Sequence, residues 1–177
     1  MSTHLPTAER LWWKHPLDRV EITWISLAFL WCLIMFAMMV GWHFFGGQNL
    51  SNEAYKTTPA KYQAQAQEVV DKYQVGTEEN IPVVAPPPGS DIYIIARLWQ
   101  WWPIYELEKG ESYRLHLSSM DWQHGFSLQP VNINVQVLPG YEHVINITPD
   151  QKGEYTIVCN EYCGIGHHRM VGKIYVN

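Results

Sequence analysis

The chain has 177 residues, 47% of them hydrophobic and 16% charged. That charged share is below the roughly 25% usual for soluble domains, which points to a membrane segment or a large contact surface. A net charge of −5 argues against a nucleic-acid surface or a polybasic lipid anchor, and three cysteines do not make a disulfide framework.

Residues 1–21 form an N-terminal segment containing Arg10, Lys14 and Arg19. The stretch 22–42, ITWISLAFLWCLIMFAMMVGW, carries no charge. At 1.5 Å per residue it spans about 32 Å as a helix, close to the hydrocarbon thickness of a bilayer. A transmembrane helix is therefore predicted over 22–45. A cleaved signal peptide would have a shorter apolar core and a small-residue cleavage site soon after it. Here the run continues into Gly41-Trp42-His43-Phe44-Phe45. Trp12, Trp13 and Trp42 lie toward the two ends, as interfacial anchors do. No Lys or Arg follows the span until Lys56, so the positive-inside rule puts the N-terminus in the cytoplasm and the rest outside. Cys32, mid-span, reads as a small hydrophobe.

Residues 46–90 read as an extracytoplasmic linker. Within it, 60–73 is expected to form a short, mostly polar helix with little apolar stripe. Ala85-Pro86-Pro87-Pro88 reads as an extended spacer. From Asp91 the hydrophobic period becomes two. Ile92, Ile94, Ala96 and Leu98 share one side of a predicted strand. Tyr113, Leu115 and Leu117 do so in a second, and Ile133, Val135 and Val137 in a third. Further strands are predicted over 141–149, 154–159 and 173–176. Gly110, Pro130, Pro139-Gly140 and Lys152-Gly153 mark turns. Residues 91–177 are thus expected to form a β-sandwich or small barrel.

The segment 159–170, CNEYCGIGHHRM, holds the chemistry. Cys159, Cys163, His167 and Met170 offer two thiolates, an imidazole and a thioether, a soft set suited to copper. One Cys, one His, an axial Met and an upstream His would make a mononuclear blue-copper site, with His124 in the upstream role. Cys159 adds a second thiolate, and two thiolates can bridge two copper ions. The competing reading is a structural disulfide between Cys159 and Cys163. His168 reads as a surface neighbour of the site, and His116 and His143 as structural histidines.

These residues resemble subunit II of haem–copper oxidases, the subunit that carries the two-copper CuA centre. The family pattern C-x-E-x-C-x-x-x-H-x-x-M is matched by Cys159, Glu161, Cys163, His167 and Met170. The S-x-D-x-x-H-G-F segment is matched by Ser119, Asp121, His124, Gly125 and Phe126. The single predicted span is like the small ba3-type branch. The resemblance implies a cupredoxin-like Greek-key domain in which Cys159 and Cys163 bridge the coppers. His124 and Met170 would complete one ion, and His167 with the Glu161 carbonyl the other. It implies a magnesium contact near the Glu161 side chain at the interface with a haem-bearing subunit I. It further implies that cytochrome c donates electrons near Trp99 and Trp101. The chain would then lie in a prokaryotic plasma membrane, with its domain on the periplasmic face and oxygen reduction left to the partner. A nitric oxide reductase subunit and a copper carrier or assembly protein are the alternative readings.

Overall fold

In the computed structural model, which describes residues 16–46 and 53–177, Asp18 opens the first helix. Its carboxylate accepts the Glu21 amide at 2.8 Å, and the Glu21 carboxylate accepts the Asp18 amide at 3.0 Å. This reciprocal cap satisfies two of the donors that a helix start leaves open. It sets the start of α1 (Arg19–Phe45) three residues before the expected span. The 27 residues of α1 extend about 40 Å, long and apolar enough to cross a membrane. None of its side chains is buried against protein. Trp42 is exposed near its C-terminal end. Arg10, Trp12, Trp13 and Lys14 lie outside the described residues.

The second unit is built from two sheets. β1 (Glu53–Lys56), β10 (Tyr141–Ile147), β7 (Tyr113–Ser119), β4 (Asp91–Arg97) and β5 (Gln100–Trp102) form one, in that order. The other runs β2 (Gln74–Glu78), β3 (Ile81–Val84), β6 (Ile104–Leu107), β12 (Val171–Val176), β11 (Gly153–Cys159), β8 (His124–Gln129) and β9 (Ile133–Val137). β4 with β7, β6 with β12 and β3 with β6 pair in parallel, so the sheets are mixed. The predicted inward residues Ile92, Ile94, Ala96, Leu115 and Leu117 are fully buried, facing Phe126, Leu128 and Ile157 in one core. Each of the larger side chains among these contributes about 1.5–3 kcal/mol by leaving water. The predicted turns at Gly110 and Gly140 have φ of 82° and 84°, a region open to glycine at little cost.

Two expectations change. Residues 53–90 do not act as a free linker: β1 extends one sheet, and β2 and β3 extend the other. Between them, α2 (Pro59–Tyr73) is capped by Thr58, whose hydroxyl accepts the Lys61 amide. Tyr62, Ala66 and Val70 recur every fourth residue and are buried, so the stripe is narrow but complete. Leu98, expected inward with Ile92, Ile94 and Ala96, is 41% exposed because the chain turns just after Arg97.

His116 is structural, as expected. Its Nδ1 lies 2.5 Å from Glu142 Oε1 and its Nε2 lies 3.0 Å from Asp91 Oδ1. Arg114 donates to both Asp91 and Glu53 at 3.0 Å. These links tie β1, β4, β7 and β10 together under charge.

Candidate metal centre

β8 and β11 are neighbours, with Cys159 paired to Phe126. His124 begins β8 and Cys159 ends β11, so one end of the sandwich receives both side chains. Beyond Cys159 the chain loops out and returns. The Cys159 amide donates to the Met170 carbonyl at 3.1 Å, closing the loop at its neck. Inside, the amides of His167, Arg169 and Met170 donate to the carbonyls of Gly164, Gly166 and His167. The loop therefore satisfies much of its own backbone, which holds its side chains in fixed places.

Cys159 and Cys163 are both buried, and their sulfurs lie 3.7 Å apart. A disulfide needs about 2.05 Å, so these are two free thiols rather than a structural bridge. His124 Nδ1 stands 3.9 Å from Cys159 Sγ, and His167 Nδ1 stands 3.7 Å from Cys163 Sγ. Met170 Sδ lies 3.9 Å from Cys163 Sγ, and the Glu161 carbonyl oxygen 3.3 Å from Cys159 Sγ. The donor atoms of His124, Cys159 and Cys163 fall within 4.8 Å of one another, a spacing suited to a metal ion. Half the sulfur separation is less than a metal–thiolate bond of about 2.3 Å, so an ion on either side of the pair can reach both sulfurs. The residues present thus fit copper in kind and in spacing.

Electrostatics keep the donors in order. Burial and the Cys159 thiol push the Cys163 thiol up to about 11, so metal uptake must displace a proton there. Asp121 Oδ1 accepts His124 Nε2–H at 2.8 Å, which leaves the Nδ1 lone pair aimed at the sulfurs. Burial works to raise the Asp121 carboxyl, but hydrogen bonds from His124, the Trp122 amide and the Leu98 amide outweigh it and hold the carboxyl below its ordinary value. The Glu161 side chain turns outward and accepts Gln136 Nε2–H at 3.2 Å.

Gly125 lets the loop sit this close. A methyl group there would overlap the Asn160 side chain and stand 2.8 Å from the Glu161 amide nitrogen. Gly125→Ala is expected to displace Asn160 and Glu161, costing about 1–3 kcal/mol and weakening metal uptake. Thermal unfolding and metal titration of the full chain check this.

Trp99 and Trp101 part company. Trp99 sits in the turn between β4 and β5, is 38% exposed, and donates its indole N–H to the Cys163 carbonyl at 3.3 Å. Trp101 is buried at 2% exposure, with its ring edge on Phe126 and His124. The turn separates the two residues that the resemblance pairs, so only Trp99 of the pair reaches the surface. His168 is exposed within the loop. The sequence did not single out Asp121 or Gly125 as supports of His124 and the loop. Their signal was the S-x-D-x-x-H-G-F segment itself.

A family model, the periplasmic domain of cytochrome c oxidase subunit II, matches residues 94–176. A cytochrome c oxidase subunit 2 of Thermus thermophilus is 40% identical over 91 residues, covering 51% of this chain and 67% of that protein. The chain belongs to the cytochrome c oxidase subunit II family. A second Thermus thermophilus subunit 2 shows the same identity over 54% of its length. Among solved structures, a haem–copper terminal oxidase dimer matches with a TM-score of 0.60 and 26% identity, over 90% of this chain and 100% of that chain. Rusticyanin from Thiobacillus ferrooxidans matches with a TM-score of 0.50 and 15% identity, over 72% of this chain and 99% of its own, which shows the cupredoxin-like fold. A helix fit to cross a membrane, joined to a domain of this family, suits a membrane protein with an outer-face domain.

Proposed function

We propose that this chain is the electron-accepting subunit of a haem–copper oxidase of the small ba3 type, taking single electrons from a cytochrome c and passing them to haem in subunit I. The observation that carries the reading is the pair of unbonded sulfurs 3.7 Å apart, each with its own imidazole within 4 Å. Cys159 and Cys163 would bridge two copper ions. His124 and Met170 would complete one, and His167 with the Glu161 carbonyl the other. When bound, the copper pair supplies a one-electron carrier whose charge is spread over two metals. The protein's part is to hold that carrier still. Burial of His124, Cys159, Cys163 and Met170 excludes water, and the closed loop limits rearrangement between redox states.

Trp99, exposed and bonded to the Cys163 carbonyl, is the surface group through which a donor would approach. Trp122, Tyr162 and Ile165 are also exposed on the loops around the site, so donor docking draws on apolar contact. The outward Glu161 carboxylate is the group that would meet a magnesium ion at the subunit I interface. Arg19, at the start of α1, and the basic residues before it orient the N-terminus toward the cytoplasm, with the metal domain on the periplasmic side.

The test is to load the full chain with copper in detergent, then measure metal content and the electron paramagnetic resonance spectrum. Two coppers per chain with a seven-line signal are expected. One copper with a four-line signal, or no copper, overturns the reading.

A further inference from the structure

Asp121 stands between the metal centre and the protein surface. Its Oδ1 accepts His124 Nε2–H at 2.8 Å, and its Oδ2 accepts the Leu98 amide at 2.7 Å. Leu98 immediately precedes Trp99. The Trp99 indole N–H donates to the Cys163 carbonyl at 3.3 Å. Its ring also lies against the loop backbone: a methyl group on Gly166 would overlap the Trp99 ring, and one on Gly164 would touch it at 3.6 Å. Hydrogen bonds and covalent links thus run from His124 through Asp121, Leu98 and Trp99 to Cys163. The sulfurs close the ring.

Three separate pieces of chain meet in that ring. His124 comes from the start of β8, Trp99 from the turn after β4, and Cys163 from the loop after β11. Asp121 joins the first two with opposite oxygens of one carboxylate. Hydrogen bonds to an ionised acceptor are shorter and stronger than neutral ones, which suits a group that must hold an exposed turn.

Resting on the functional reading above, we propose that Asp121 is a positioning residue that couples the ligand His124 to the donor-facing Trp99, so that both keep one geometry. Asp121 touches neither metal nor donor in this role. A copper pair held by these residues would accept one electron from the reduced donor. What Asp121 controls is the separation and orientation over which that electron passes. The bland account is local: Asp121 also accepts the Trp122 amide at 2.6 Å and bonds Ser119, so it shapes its own turn. A purely local role would leave Trp99 untouched when Asp121 changes.

Nuclear magnetic resonance on the full chain in detergent separates the two. In the native apo chain, the Leu98 amide and the Trp99 indole N–H are expected to show matching protection factors, each rate taken against that of the same group in an unfolded peptide, because one opening exposes both. Asp121→Asn keeps the size but removes the charge. It is expected to speed both exchanges about tenfold. In the copper-loaded chain it is expected to shift the His124 ring-proton signals as well. A variant that moves the His124 signals but leaves Trp99 exchange unchanged overturns the coupling, as does the reverse. Should Asp121→Asn fail to fold, the native chain still decides: protection factors more than tenfold apart overturn the proposal. The apo exchange needs no metal, so failure of the coupling shows there, whereas failure of the functional reading shows in copper content.

Discussion

Replacing Cys159 by serine is expected to leave a folded chain that binds at most one copper and gives no seven-line signal. The sulfur of Cys159 is the shared neighbour of Cys163 at 3.7 Å, His124 at 3.9 Å and the Glu161 carbonyl at 3.3 Å. A serine hydroxyl is harder, shorter and protonated at neutral pH, so it cannot take the place of a bridging thiolate. What remains is Cys163, His167 and Met170, with His124 still held by Asp121. One thiolate, two imidazoles and a thioether make a set for a single copper with a long axial Met. The new hydroxyl can donate to the Glu161 carbonyl, so its burial leaves no unsatisfied donor and the fold survives. Metal analysis and paramagnetic resonance of the purified variant give the answer directly. Persistence of the seven-line signal in Cys159→Ser would falsify the bridging role.

The candidate metal ligands were legible because they cluster in sequence. Four side-chain donors, Cys159, Cys163, His167 and Met170, fall within twelve consecutive residues, 159–170, and soft donors at such density have few other uses. His124 was legible only through its surrounding segment, since one histidine on one strand carries no chemistry by itself. The structure supplies what spacing could not: the neck bond from Cys159 to Met170, and a β8–β11 pairing that brings residue 124 to residue 159. Nothing in a linear pattern states which strands will be neighbours in a mixed sheet.

The strand pattern failed where residues are buried on both faces or where the strand is short. In β8, His124, Gly125 and Phe126 are buried in succession, so alternation is lost. β5 and β6 have three and four residues, too few to show a period. Trp101 misled for another reason. The resemblance pairs Trp99 with Trp101 as one electron-entry surface, but the chain turns at Leu98 and Trp99, which leaves Trp99 at the surface and Trp101 in the core.

The helix expected over 60–73 is present as α2 (Pro59–Tyr73), but the linker reading around it is overturned, and there the second large effect is expected. Tyr62→Ala is predicted to destabilise the domain by about 3–5 kcal/mol, the range for truncating a large buried aromatic. Tyr62 is fully buried, packs with Ala66 against Ile95, and sets its ring edge on Tyr93. Its hydroxyl donates to the Ile94 carbonyl at 3.1 Å, on the strand whose inner face builds the core. Tyr62→Phe, which removes only that bond, is expected to cost about 1 kcal/mol. Against a total stability of about 5–15 kcal/mol, the alanine variant loses a large share. The helix looked dispensable because its polar residues outnumber the three that matter, and a hydrophobic average hides a narrow stripe. A fragment beginning at residue 91 would lack α2, β1, β2 and β3. It would bare Ile95, strip β10 and β6 of their neighbours β1 and β3, and expose two unpaired sheet edges. Urea unfolding of the full chain measures the alanine cost, and comparison with the fragment measures the whole segment. Equal midpoints for Tyr62→Ala and the native chain would return residues 53–90 to the status of a linker.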